Sequence, residues 1–296
     1  DPGSSAVVIK VCSRVPDPPG RVLFMHGTSA ARLLIAGFPG VIGLLAAVVL
    51  PNSASAIVNG IAVSQATYES TFPWAAAVYD PVSGAVCSAE LISPTYVLTA
   101  AHCTGATTVQ IGATDRTTVM PIAVSNAIVH PSYDPVNRYY DVALLHLATP
   151  VYNTPPVQLA TQAQANSYLT PNRAAVIAGF GRTTSAGGYS NVLMQRGAVM
   201  YGLNLQFTWI VYFNSSTGPC AGDSGGPLIV QVSGVGPLLM GIADVTQGDL
   251  CVTGGGTAGY TNIAQMLPFI NTTNVPDLGQ ILVPSAAPDT ATTTQD

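Results

Sequence analysis

The sequence has few charged residues and almost no lysine. Only 8% of its 296 residues are Asp, Glu, Lys or Arg, and the formal net charge is −5. Lys10 is the single lysine, and the chain beyond residue 56 has five arginines and no basic patch. Binding to nucleic acid or to an anionic membrane needs such a patch. The composition therefore argues against both kinds of partner.

Cysteine is also scarce, and no CxxC pair occurs. Five cysteines are present, and Cys12 lies in the N-terminal region, which leaves four beyond residue 56. The long spacings argue against a zinc site, so we expect no bound metal. An even number fits a secreted protein with two disulfides, although four cysteines allow three connectivities.

The longest apolar run lies near the N-terminus, from Leu33 to Leu50. It follows Arg32 and is followed by a small-residue ending, Ala54-x-Ala56, that suits signal peptidase. A membrane anchor is the alternative, but glycine and proline interrupt the run. We predict a signal peptide over 25–56, a non-native or upstream extension over 1–24, and a secreted, extracellular protein with no membrane contact after cleavage.

Abundant Val, Thr, Ala and Gly, with turn signals at short intervals, predict an all-β fold. The strand candidates are Ala75–Tyr79, Tyr96–Thr99, Val142–Leu147, Ala174–Ala178, Pro227–Val232 and Leu238–Ala243.

The sequence GDSGGP at 222–227 places Ser224 between glycines that allow a sharp turn. Such a turn can expose a serine hydroxyl and direct backbone N–H groups to the same point, which suits a nucleophile. A glycine-rich turn with an incidental serine is the alternative. His102 and Asp141 supply the general base and its orienting acid, in one of the known chain orders of a catalytic triad.

Four motifs together resemble the trypsin/chymotrypsin family of secreted serine endopeptidases. They are IVNG at 57–60, TAAHC at 99–103, DVALL at 141–145 and GDSGGP at 222–227, with weaker support from AGFGR at 178–182 and GYT at 259–261. The resemblance covers about 57–271. It implies two six-stranded antiparallel β-barrels, about 57–165 and 166–271, and a short C-terminal helix over 262–270. The tail, 272–296, has the polar composition of a disordered segment.

The resemblance also implies a mechanism. Ser224 attacks a peptide carbonyl, His102 transfers the proton, and the N–H groups of Gly222 and Ser224 form the oxyanion hole. The acyl-enzyme is then hydrolysed without any cofactor. Expected partners are protein or peptide substrates and proteinaceous protease inhibitors, and we expect a monomer.

In the family, a new N-terminal ammonium pairs with the aspartate before the nucleophile, which corresponds to Ile57 and Asp223 in this chain. No Lys or Arg lies between Arg32 and Ile57. We therefore expect signal peptidase, or trimming of a very short propeptide, to expose Ile57.

The resemblance further implies disulfides Cys87–Cys103 and Cys220–Cys251. Gly218 corresponds to the floor of the specificity pocket, and Thr246 and Gly259 to its walls, which predicts small or medium apolar P1 residues. Asn214 and Asn271 begin N-glycosylation triplets.

Two regions depart from the family, one around 244–246 and one within 201–219. Asp244 stands where a serine contacts the catalytic aspartate, and a second carboxylate there would raise a pKa or need a donor. Val245 replaces an aromatic residue. The apolar stretch within 201–219 suggests a divergent loop or a mistranslated splice junction.

The alternative function is a catalytically impaired, protease-like binding protein. A lipase is disfavoured by the order of the triad residues along the chain.

Overall fold

A computed structural model of the chain describes residues 57–278 apart from Thr183, Ser185, 205–208, 215–217, 248–250, 252–255 and 272–273. The predicted signal peptide, the segment before it and most of the predicted tail lie outside the described residues. The strands are β1 (Ile61–Ala62), β2 (Ala75–Tyr79), β3 (Val86–Ser93), β4 (Tyr96–Thr99), β5 (Thr108–Ile111), β6 (Ile122–Val129), β7 (Ala143–Leu147), β8 (Gln158–Leu159), β9 (Ala174–Gly179), β10 (Met194–Asn204), β11 (Trp209–Asn214), β12 (Pro227–Val232), β13 (Gly236–Gln247) and β14 (Gly256–Asn262). The α-helices are α1 (Gln65–Thr71), α2 (Gln162–Tyr168) and α3 (Ile263–Met266), and 3₁₀ turns span Ala101–Cys103 and Arg116–Thr118.

The first six-stranded unit is a closed antiparallel barrel in the order β2-β3-β4-β7-β6-β5. Its strands contain many apolar residues, several of them β-branched, as is typical of strands. Across the β4–β7 ladder, Leu98 lies opposite Leu144. Both residues are fully buried, as are Val97 and Leu145 in the neighbouring pair. The predicted first barrel is confirmed.

The second unit is an eight-stranded sheet ordered β1-β10-β11-β14-β13-β12-β9, with β8 added in parallel to β13. Strand β9 also pairs with β10 over Ala174–Gly179. Leu228, Val230, Leu238 and Met240 are fully buried in its core. The closed second barrel stays a prediction, with the β9–β10 pairing in its favour.

The apolar stretch before the GDSGGP turn is a strand rather than the divergent loop that the sequence suggested. Strand β11 pairs with β10 on one edge and with β14 on the other. A continuous apolar run of this length is compatible with a β-strand. The ladder with β14 runs over Trp209–Asn214 and so includes this run.

The C-terminal helix is shorter than the predicted 262–270. The Asn262 side chain caps the start of α3 by accepting a hydrogen bond from Ala264 N–H. The helix ends at Met266, two residues before Pro268. This agrees with the poor compatibility of proline with a continuing helix. Beyond it, Val275 is fully buried and Asp277 accepts hydrogen bonds from Thr95, so packed structure extends past residue 271.

Two helices were not predicted, although each has a capping signal. The Ser64 hydroxyl caps α1 by accepting from Thr67 N–H, and Thr161 and Gln164 form a capping box at α2. Among the described residues, no helix has both the length and the apolar character needed to cross a membrane.

Candidate active site

His102 lies in the 3₁₀ turn that ends β4 and is fixed at two points. Its backbone N–H donates to Asp141 Oδ1 at 2.9 Å, and its ring Nδ1 lies 2.5 Å from Asp141 Oδ2. The next residue, Cys103, forms a disulfide with Cys87 on β3. The imidazole is therefore held by both its main chain and its ring, and its side chain remains 20% exposed.

Asp141 is fully buried just before β7. Burial alone would raise the pKa of Asp141. The hydrogen bonds and charge of His102, with a hydrogen bond from Asp244, outweigh burial and hold that pKa below its ordinary value. Arg138 adds a donor, its Nη1 lying 3.4 Å from Oδ2. Asp141 is consequently ionised at neutral pH and can only accept hydrogen bonds.

Ser224 lies on a turn that packs against the first barrel. Its carbonyl accepts from Ser88 N–H at 2.8 Å. Gly222 and Gly225 on either side have positive φ angles of 98° and 78°, which glycine adopts without strain. At Gly225 a Cβ would collide with the backbone of Ser88 and the side chain of Thr99. The glycines therefore let the Ser224 turn approach β3 and β4.

Asp223 is buried beneath the turn and accepts only backbone donors among those described. The N–H groups of Cys220 and Gly181 reach its two oxygens at 2.8 Å each, and Ile57 N–H also donates to it. Burial raises the pKa of Asp223 to about 7, and these three hydrogen bonds oppose that shift. The two residues of the predicted activation pair thus lie together while residue 56 is still attached.

The comparison with known families agrees with this arrangement. The family model described as Trypsin matches residues 61–270, which include His102, Asp141 and Ser224. The chain belongs to the trypsin family. The TAAHC, DVALL and GDSGGP motifs therefore lie within a trypsin-family serine protease domain.

Both disulfides implied by the trypsin-family resemblance are present in the structure. Cys87 and Cys103 have Cα atoms 6.2 Å apart, and Cys220 and Cys251 have Cα atoms 5.0 Å apart. The first bond joins the His102 turn to β3. The second joins the segment before Ser224 to the segment beyond β13.

Of the predicted pocket residues, Thr246 and Gly259 lie on strands of the second sheet, and Gly218 lies outside it. Gly218 forms an isolated bridge with Val58, whose N–H donates to the Gly218 carbonyl at 3.0 Å. Thr246 pairs with Ala258, and Gly259 pairs with Val245 and Val211. Because 215–217 and 248–250 lie outside the described residues, the shape of the pocket stays a prediction.

Asp244, the departure from the trypsin family, lies beside the predicted triad. Ligand atoms of His102, Asp141 and Asp244 all lie within 4.8 Å of one another. The imidazole Nδ1 and the Asp141 carboxylate already bond to each other, so we interpret the group as a hydrogen-bonded cluster rather than a ligand set. A second group contains His102 with Cys87 and Cys103, whose sulfurs are joined in a disulfide and offer no thiolate.

Sequence reasoning missed several residues that support the site. Ser88 Oγ donates to the Gly222 carbonyl and accepts from Phe180 N–H, so it links both units beneath Ser224. Thr261 donates to the Asp141 carbonyl at 3.2 Å. Arg138 was not singled out either. Ser88 follows Cys87 directly, and this adjacency was the one available signal.

The two glycosylation candidates differ in what the structure describes. Asn214 ends β11. The Asn271 side-chain amide donates to the Pro268 carbonyl and its oxygen accepts from Asn274 N–H. Modification at both positions stays a prediction.

Proposed function

We propose that this protein is an active, secreted serine endopeptidase in which His102, Asp141 and Ser224 form the catalytic triad. The observation that carries the proposal is the double hydrogen bond between His102 and the buried Asp141. A histidine with only a structural role would not need a fully buried, ionised carboxylate that binds both its backbone N–H and its ring nitrogen.

The proton positions follow from this pair. Since ionised Asp141 has only acceptors, the Nδ1 of His102 must carry the proton, and Nε2 is left with a lone pair. Nε2 can then take the Ser224 proton as Oγ attacks the scissile carbonyl, and return it to the leaving amine. Water attacks the resulting acyl-enzyme by the same route in reverse.

Gly222 and Ser224 are the proposed oxyanion donors. The positive φ of Gly222 and the packing of the turn on Ser88 support a rigid backbone at this position. Fixed N–H dipoles need no reorganisation as negative charge develops on the substrate oxygen, and each is typically worth about 2.7–4 kcal/mol of barrier. The proposed cycle uses no metal or cofactor.

A fluorophosphonate probe tests the catalytic assignment. Protein beginning at Ile57 should be labelled on Ser224, and Ser224→Ala should abolish labelling without loss of folded structure. Asp115→Asn, a change at a half-buried residue outside the proposed triad, is the matched control. Unlabelled wild type that binds peptides would instead support the protease-like binding protein, for which the unusual Asp244 is the one favouring observation.

A preference for small or apolar P1 residues is proposed from Gly218, Thr246 and Gly259. A cationic P1 side chain would be buried opposite Gly218 without a partner, which is costly. Profiling on a peptide library should give cleavage after small aliphatic residues. Gly218→Asp should add cleavage after Arg or Lys, and an unchanged profile in this variant would contradict the assignment of residue 218.

Maturation at Ile57 is proposed to accompany export. N-terminal sequencing of the protein recovered from culture medium should begin at Ile57, and any other start contradicts this site. Size-exclusion chromatography should give a monomer, and proteinaceous protease inhibitors should compete with the probe for Ser224.

A further inference from the structure

Ser88 binds the carbonyl groups of both proposed oxyanion residues, Gly222 and Ser224. The Ser88 N–H donates to the Ser224 carbonyl at 2.8 Å, and the Ser88 hydroxyl donates to the Gly222 carbonyl at 3.1 Å. Ser88 lies on β3, and only 1% of it is exposed. A single residue of the first barrel therefore contacts the main chain on either side of Asp223.

The direction of the Ser88 hydroxyl follows from its two partners. A hydroxyl has one proton to donate and accepts through its lone pairs. Phe180 N–H can only donate, and its nitrogen lies 3.0 Å from Ser88 Oγ, so Oγ is the acceptor. The Gly222 carbonyl can only accept, so it takes the single Ser88 proton. A chain of hydrogen bonds thus runs from Phe180 through Ser88 to Gly222.

Gly222 is the position in the turn where such support matters most. Its φ is 98°, and it has no side chain to limit rotation about its backbone bonds. The peptide before it is held by Arg182 N–H, which donates to the Ala221 carbonyl at 2.8 Å. A trans peptide directs its N–H opposite to its C=O, so Gly222 N–H points away from Arg182. The Ser88 hydroxyl holds the peptide that follows Gly222.

We propose that Ser88 is a positioning residue of the oxyanion hole, whose hydroxyl fixes the peptide after Gly222 and thereby the direction of Gly222 N–H. This proposal rests on the proposed protease function. With the peptides on both sides held, the N–H dipole is oriented before the substrate arrives and needs no reorganisation as charge develops. Removing the hydroxyl takes this bond from Phe180 N–H and from the Gly222 carbonyl, and the turn can then rotate about Gly222.

Ser88→Ala removes the hydroxyl alone. We expect kcat to fall about tenfold, less than the roughly 10²–10³-fold that loss of a whole oxyanion donor costs, with KM little changed. Ser88→Thr restores a hydroxyl and should recover most of kcat. The matched control is Ser93→Ala, which removes another buried hydroxyl from β3, one that accepts from Tyr96 N–H at 3.0 Å. This control should lower stability and leave kcat at the wild-type value.

The carbonyl band of the acyl-enzyme separates positioning from a general loss of structure. An aryl ester with an isotope-labelled carbonyl would acylate Ser224, and infrared difference spectroscopy against the unlabelled ester isolates that band. Hydrogen bonds from the oxyanion hole polarise the carbonyl and lower its stretching frequency. We expect a higher frequency in Ser88→Ala than in wild type, and no change in Ser93→Ala. A wild-type kcat and band position in Ser88→Ala would overturn the proposal.

Hydrogen exchange in the wild type needs neither turnover nor a variant. The Phe180 amide should exchange slowly, because the buried Ser88 Oγ is its acceptor. Rapid exchange at Phe180 would overturn the proposal even if Ser224 reacts with the fluorophosphonate probe. Slow exchange at Phe180 in protein that the probe does not label would support the Ser88 bonds and count against the proposed protease function.

Discussion

At the residue scale, the function of each buried carboxyl depends on the donors that reach it. Asp141 receives two bonds from His102 and remains ionised, with its pKa below the ordinary value. Glu90 on β3 is also fully buried, yet neither of its oxygens has a hydrogen-bond partner within the described part of the chain. The same barrel therefore holds a carboxylate and a carboxylic acid.

Asp141→Asn should abolish most of the activity without changing the fold. An Asn amide can donate to the His102 ring, which would place the ring proton on Nε2, where it cannot accept from Ser224. The equivalent change in a Ser-His-Asp triad lowers kcat by about 10⁴-fold. Steady-state kinetics with an active-site titration measures the effect. A loss below about tenfold would mean that Asp141 does not set the tautomer.

Glu90→Gln should remove a pH-dependent loss of stability. Burial raises the pKa of Glu90 well above its ordinary value. Below about pH 4.3, Glu90 is protonated in both the folded and the unfolded chain. In that range Glu90 therefore contributes no pH dependence to the unfolding free energy. At higher pH the unfolded chain releases the proton first, and wild type loses stability until the pH passes the folded pKa.

The comparison with Glu90→Gln isolates this single group, because all other titrations are shared. Relative to that variant, wild type should lose about 1.4 kcal/mol of unfolding free energy per pH unit within the window. Chemical denaturation at a series of pH values provides the measurement. Parallel stability curves for the two proteins would show that Glu90 has a partner or a normal pKa.

At the element scale, β3 connects the two halves of the site. Cys87 holds the His102 turn through its disulfide, and the adjacent Ser88 holds the Ser224 carbonyl and the Gly222 carbonyl. The proposed nucleophile, Ser224, and its proposed base, His102, are therefore both positioned by consecutive residues of one strand.

Replacing both Cys87 and Cys103 with alanine should reduce stability and activity together. The disulfide closes a loop with a sequence separation of 16, for which loop entropy gives about 3 kcal/mol. Denaturation should show that loss, and kcat should fall because the His102 turn is less constrained. The variant lacking Cys220 and Cys251 should lose stability while keeping the His102–Asp141 pair; an equal effect of both variants on kcat would contradict a specific role for β3.

Sequence reasoning worked where a motif or a periodic run specified local structure. Strands such as Ala75–Tyr79 and Pro227–Val232 were predicted at their observed bounds because apolar runs end at turn residues. It failed where pairing decides the outcome. The bulge at Asp244 depends on the register of β13 against β14, and the partnerless burial of Glu90 depends on how the barrel closes. Neither property is encoded within a short window.

At the scale of the whole molecule, Ile57 contacts the Ser224 turn through its N–H bond to Asp223. Ile57 is 1% exposed and has a φ of 60°, which is unfavourable for a β-branched side chain. Such a conformation costs about 1–3 kcal/mol. Cleavage before Ile57 removes the preceding carbonyl and with it the restriction on φ, so maturation should release this strain while leaving Ile57 N beside Asp223.

Mature protein beginning at Ile57 should lose activity reversibly at alkaline pH. Asp223 has a pKa of about 7 when only backbone N–H groups face it, and an ammonium at Ile57 would lower that value. In return, the pKa of the α-amino group should rise above its ordinary 7.7–8.0. On the alkaline side, the stability from this pair is undiminished up to about pH 7.7 and is lost as the pH passes the raised α-amino pKa; on the acid side it is lost as Asp223 becomes protonated. The rate of fluorophosphonate labelling against pH measures the limb, and a chain that retains Ser55 and Ala56, with no ammonium at Ile57, is the control. Equal labelling of both chains across the pH range would mean that the ion pair does not order the Ser224 turn.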